Sequence, residues 1–120
     1  MMVMLTESMT TEMQTCMNAC MECHKICLET MTYCMIKGGK HVDMGIIGIL
    51  RDCSEICMMC MNMMMGGSEF TSRTCMLCAE MCERCASACE TISNDKKMSE
   101  CAASCRKCAE TCCNMTRVTA

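Results

Sequence analysis

Seventeen of the eighteen cysteines in this chain fall in four runs. The first is Cys16, Cys20, Cys23, Cys27 and Cys34, and the second is Cys53, Cys57 and Cys60. The third is Cys75, Cys78, Cys82, Cys85 and Cys89, and the fourth is Cys101, Cys105, Cys108 and Cys112. Within each run the steps are 3, 4 or 7 residues, which return a side chain to the same face of an α-helix. Each run is thus a stripe of thiols where leucine would ordinarily stand. Cys113 alone is off register, turned about 100° from Cys112.

Thiols in this pattern admit five readings. The first is a core that is merely rich in cysteine. Leu and Ile bury more apolar area per residue, and so many oxidisable groups are a liability without a use. The second is a disulfide scaffold. Its bridges would have to run between helices, and cystine-rich scaffolds are loop-dominated. The third is zinc, which takes four tetrahedral ligands, usually from turns that wrap the ion. A straight stripe offers only two adjacent thiols, so zinc needs clusters across the bundle. The fourth is an iron–sulfur cluster, whose cysteines usually sit on a loop. Cys75 and Cys78 also match a thioredoxin-like pair, but they lack a βαβ context and belong to a longer stripe.

The fifth reading is Cu(I), and it fits best. Thiolate and thioether ligands select Cu(I) by softness. Cys at i and i+4 on one helix face have Cβ atoms about 5–6 Å apart, which suits one ion between two sulfurs. A lone pair of thiolates around one Cu(I) carries net negative charge, which is costly to bury. If each thiolate bridges two ions, the metal-to-thiolate ratio approaches one and the interior is neutral. A stripe filled this way is a store, because no position is set apart for chemistry. The alternative left open is a thiol-rich zinc-binding or disulfide-structured redox protein.

The elements that carry the stripes follow from the breakers. The spacing predicts a first helix over Glu7 to Lys37, stopped at Gly38-Gly39. A second is capped by Asp43 and runs to Met65 before Gly66-Gly67, with Gly45 and Gly48 weakening its start. A third opens at Ser68 or Thr71 and runs to Ile92. The turn Ser93-Asn94-Asp95 caps a fourth that ends near Met115. Short loops make sequential helices antiparallel neighbours, giving an all-α, up-down-up-down four-helix bundle with a Cys-lined core. At 120 residues the whole chain, 1–120, is expected to be one metal-storage domain.

Methionine extends the stripes. Met9 and Met13 continue the first backward, Met31 is expected to fill the gap between Cys27 and Cys34, Met64 extends the second, and Met98 and Met115 bracket the fourth. Val, Ile, Leu and Phe number only 15, so the interior must be built from sulfur, supplied by 18 Cys and 20 Met. The net charge of −3 argues against a nucleic-acid partner. No apolar run approaches the ~20 residues needed to span a membrane. No Lys or Arg precedes Lys25, so a cytoplasmic protein is expected, where thiols stay reduced and favour metal over disulfides.

The segments Cys16-Met17-Asn18-Ala19-Cys20-Met21-Glu22-Cys23, Cys75 through Cys85 and Cys101 through Cys112 resemble the bacterial copper storage proteins, four-helix bundles with Cys-lined interiors. The resemblance spans nearly the whole chain. It implies Cu(I) storage in a tube of thiolates, a homotetramer, and the cytosolic branch of the family. The chain departs from the family in its many methionines and in having no histidine between Ile92 and Met98, where members often place several.

Smaller features carry weaker expectations. His24, beside Cys23, reads as a partly exposed histidine on a helix flank. His41, near Met35 and Met44, reads either as a solvated loop residue or as a ligand at the mouth of the tube. His41, Met44, Met35 and Met98 are thus the candidates for admitting metal. The off-stripe Met17, Met21, Met58, Met59, Met61, Met65, Met76 and Met81 read as oligomer contacts. The charged residues read as a solvated face with no nucleophile–base constellation, so no enzyme is expected.

Overall fold

A computed structural model describes residues 7–119, with side chains from 11 to 117. Its helices are α1 (Glu7–Lys37), α2 (Met44–Met65), α3 (Thr71–Glu90) and α4 (Lys96–Thr119), with a 3₁₀ turn at Gly39–Val42. The described residues form a rod of 50 × 21 × 17 Å, as expected for helices of this length at 1.5 Å per residue.

The chain stops and starts where its breakers stand. Gly38 leaves α1 at φ 70°, ψ −165°, a conformation that a Cβ disfavours, while its N–H bonds to the Cys34 carbonyl at 2.9 Å. Asp43 caps α2 by accepting the Gly45 N–H at 2.7 Å, and α2 begins at Met44 despite Gly45 and Gly48. Asp95 opens α4 by accepting the Met98 N–H at 3.1 Å. α3 begins at Thr71 after Phe70, while Ser68 accepts the Phe70 N–H within the preceding turn. α3 ends at Glu90 rather than Ile92, with the Thr91 hydroxyl donating to the Ala88 carbonyl at 2.6 Å. α4 continues four residues beyond Met115.

The helices form a square. α1 packs on α2 and α4, and α3 packs on the same two; the diagonal helices reach each other through side chains at the axis, as Cys57 and Cys108 do. Sulfur contacts fix the directions. Cys16 faces Cys112, Cys23 faces Cys105 and Cys34 faces Met98, so α1 and α4 run antiparallel. Cys60 faces Cys75, Cys57 faces Cys78 and Cys53 faces Cys82, so α2 and α3 do as well.

All seventeen stripe cysteines are fully buried, joined by Leu50, Met98 and Met115, while Cys113 is exposed. Leu50, Met98 and Met115 each contribute about 1.5–3 kcal/mol by burial. Two positions differ from the sequence expectation. Thr30, not Met31, fills the stripe between Cys27 and Cys34: Thr30 is fully buried and Met31 only partly so. Met61 is buried rather than on the surface, and Met17, Met58 and Met81 pack half-buried against the core; Met21, Met59, Met65 and Met76 are exposed. Met9's side chain lies outside the described residues.

Candidate metal centre

The thiols are gathered in groups that share members. Cys16, Cys75 and Cys112 form the first, at the end where Met64 and Met115 are buried. Cys112 also belongs to a group with Cys20, Cys60 and Cys78. Cys78 belongs again with Cys57, Cys82 and Cys108. Cys57 and Cys82 recur with Cys23 and Cys53, and those two recur with Cys27 and Cys105. Within each group the sulfurs lie within 4.8 Å of one another. The closest contact is Cys60 to Cys75 at 3.3 Å, and others, such as Cys57 to Cys108 at 3.8 Å, cross the bundle axis. The result is one continuous column of sulfur.

Beyond Cys27 and Cys105 the column thins. Cys34, Cys85, Cys89 and Cys101 join none of these groups. On α2 the thiols begin only at Cys53, and the buried residues before it include Leu50 and Ile46. Cys34 instead meets Met98, with Sγ 3.6 Å from Sδ, both side chains fully buried. Cys89 is buried beneath a surface cavity of about 510 Å³ that is also lined by Ile92, Asp95 and Ser99.

Burial pushes the Cys34 thiol up, and the nearby Cys101 and Asp95 charges push it further. Cys89 is raised by its Cys101 and Cys85 neighbours and by burial. Burial thus favours the protonated, neutral form of these two thiols when no metal is bound. A soft cation that displaces their protons removes the cost of burying thiolate charge.

The sequence candidates for admitting metal separate into two kinds. Met98 is inside, against Cys34. Met35 and Met44 are on the surface, 61% and 72% exposed. His41 is buried in the 3₁₀ turn, its Nε2 donating to Asp95 Oδ2 at 2.8 Å, and the same oxygen accepts the Tyr33 hydroxyl at 2.8 Å. This carboxylate hub joins α1, the turn and α4. His24 is partly buried and donates through Nδ1 to the Ser54 carbonyl at 2.7 Å, a structural tie between α1 and α2.

Two features of the site were not expected. Thr30 lies on the stripe, three residues after Cys27 and four before Cys34, and that spacing was the available signal. Asp95 is legible in the sequence only as a helix cap, and its bonds to Tyr33 and His41 leave no trace there.

A four-helix bundle whose interior is a continuous row of thiols defines a protein built to hold many soft metal ions at once. Residues 9–117 match the copper storage protein family, and the chain belongs to that family. A cysteine-rich, uncharacterized protein of Bacillus subtilis strain 168, YhjQ, is 34% identical over 82 residues, covering 68% of this chain and 76% of that protein. A crystal structure of a Nitrosospira multiformis protein superposes with a TM-score of 0.84 at 38% identity, over 90% of this chain and 97% of that one. The Cu(I)-bound copper storage protein BsCsp3 superposes at 0.82 with 32% identity, over 88% and 98%. The metal-free form of copper storage protein 3 from Bacillus subtilis gives 0.77 and 33%, over 86% and 97%.

Proposed function

We propose that this chain stores Cu(I) as a thiolate-bridged chain of ions inside its bundle, with residues 1–120 acting as one storage unit. The observation that carries this reading is the sharing of thiols between adjacent groups: Cys112, then Cys78, then Cys57 and Cys82, then Cys23 and Cys53. A mononuclear tetrahedral zinc site keeps its four ligands to itself. A thiol that belongs to two groups is a bridge, and bridging brings the ratio of Cu(I) to thiolate towards one and the charge towards zero. The ligands are the seventeen stripe cysteines from Cys16 to Cys112. No catalytic step is part of this reading.

Copper enters at the end that holds His41 and Met98. Three features support this: the buried Cys34–Met98 pair, the cavity above Cys89, and the surface thioethers of Met35 and Met44 beside the turn. The opposite end buries Met64 and Met115, with Met13 packed against the core, as an apolar plug.

The protein works in a reducing compartment, the cytoplasm, where so many interior thiols stay free. It assembles as a homotetramer. Supporting that are Met59 and Leu77, exposed around a shallow cavity of about 180 Å³ that Ile56, Met81, Asp52 and Glu55 also line.

Titrating the reduced protein with Cu(I) against a competing chelator tests the function. Uptake of roughly one ion per core thiolate is expected from the neutrality argument. Saturation at about one to four ions would exclude storage, because closed sites of that number follow ordinary ligand counts.

A further inference from the structure

Thr30 is fully buried on the cysteine stripe, and among the described residues its Oγ1 is the one buried side-chain oxygen or nitrogen without a hydrogen-bond partner. The other buried hydroxyls are satisfied by their own helices or turns. Thr71 donates to the Ser68 carbonyl at 2.7 Å, Thr74 to Phe70 at 2.9 Å, Thr111 to Cys108 at 2.9 Å and Ser54 to Arg51 at 2.9 Å. Back-bonding to a carbonyl three or four residues earlier is the usual resort of Thr within a helix. Thr30 does not take it. An orphaned hydroxyl destabilises the metal-free fold, so its place in the column asks for a reason.

The surroundings supply one. Thr30 stands between Cys27 and Cys34 on one helix face, where the groups of close thiols end. The last group is Cys23, Cys27, Cys53 and Cys105, and beyond it α2 offers Leu50 and Ile46. Thiolates in the middle of the column have neighbours on both sides through which to bridge. Cys27 still has Cys101 across the bundle, but α1 carries no thiol between Cys27 and Cys34 and α2 none before Cys53, so thiolates at this level share their charge with fewer ions. In the metal-free protein the neighbours are neutral thiols, which are poor acceptors. When Cu(I) binds, each S–H bond is replaced by S–Cu and the proton leaves, with no change of oxidation state. The sulfur that results is an anionic acceptor, and a hydroxyl donating to it makes a charge-assisted bond.

We propose that Thr30 is a positioning residue for the copper ions at this level of the column: its hydroxyl, unpaired without metal, donates to the copper-bound thiolate of Cys27 or Cys34 and offsets charge where the thiols thin out. The inference rests on the storage reading and deepens it.

The test compares the parent, Thr30→Val and Thr30→Ser, each reduced and full-length, by two measurements. The first is the concentration of a colorimetric Cu(I) chelator that removes the most weakly held ions from the loaded protein. The second is the thermal unfolding midpoint of the metal-free protein. Thr30→Val keeps the shape and removes the donor. It should yield its weakest-held copper at a chelator activity about tenfold or more lower, the loss expected for a hydrogen bond to a charged group. Its metal-free midpoint should match or exceed the parent's by about 2–8 °C, because the orphan is gone. Thr30→Ser should retain copper as the parent does. Copper retention in Thr30→Val equal to the parent's overturns the proposal, and so does a lower metal-free midpoint, which means the hydroxyl already has a partner. If the parent takes up only a few ions, the storage reading fails and this inference with it. A parent that fills while Thr30→Val matches it removes this inference alone.

Discussion

His41 Nε2 lies 2.8 Å from Asp95 Oδ2, so this histidine is held by a carboxylate rather than free in a loop. Asp95 also accepts the Tyr33 hydroxyl and caps α4 through the Met98 N–H. The bond to His41, helped by the other two, holds its carboxyl down at about 2. A carboxyl lowered from 3.8 contributes stability in full above that value and loses it as pH falls through about 2. Asn caps helices as well as Asp does, so Asp95→Asn isolates the charge. Metal-free Asp95→Asn should unfold at a lower temperature than the parent at neutral pH, with the gap closing between about pH 4 and pH 2. A gap that persists at pH 2 would mean the carboxylate charge is not what matters.

The same hub bears on how copper reaches the column. Replacing His41 and Met44 together by non-ligating residues should slow copper uptake or removal and leave capacity nearly unchanged, because every stripe thiol remains. Stopped-flow transfer from a Cu(I)–chelator complex measures the rate. If the double variant keeps pace with the parent while changes at Met13 and Met64 slow transfer, copper enters at the other end.

Raised thiols give a dependence of the opposite sign. Burial lifts the Cys34 thiol above its ordinary value of 9.0, so the folded chain holds that proton longer than the unfolded chain does. The contribution is full below 9.0 and is lost as pH rises through the folded value. The urea midpoint of the reduced, metal-free protein should therefore fall above about pH 9, while the copper-loaded protein, whose thiols have already lost their protons, should show little change over the same range. Parallel slopes in the two forms would contradict this.

The bundle was legible because a periodicity and its breakers agree. The steps between Cys75, Cys78, Cys82, Cys85 and Cys89 can be satisfied only by a helix face, and Gly38-Gly39 and Gly66-Gly67 mark where the chain must leave a helix. The burial of all seventeen stripe thiols was legible for the same reason. What was not legible depends on contacts between helices. Thr30 stands three residues after Cys27 and four before Cys34, so the stripe's own spacing selects it over Met31. His41 was read from its loop position, and its partner Asp95 lies 54 residues away. The sharing of thiols between groups required the register of α1 against α4, which no single helix encodes.

Cys113 should be the one readily modified thiol. It is exposed, while the other seventeen are buried. Reacting the native, reduced, metal-free protein with an aromatic disulfide should give one fast equivalent followed by a slow phase limited by opening of the bundle. Cys113→Ser should remove the fast equivalent without lowering copper capacity. Several fast equivalents in that variant would show that the column is open to solvent.

Anomalous scattering at the copper edge, from crystals of the copper-loaded protein, tests the central claim most directly. A row of copper peaks should run along the bundle axis from the level of Cys16, Cys75 and Cys112 to that of Cys34 and Met98, with adjacent peaks sharing thiolates such as Cys78 and Cys57. Peaks confined to surface methionines and histidines, or isolated sites that share no sulfur, would contradict storage in a bridged interior chain.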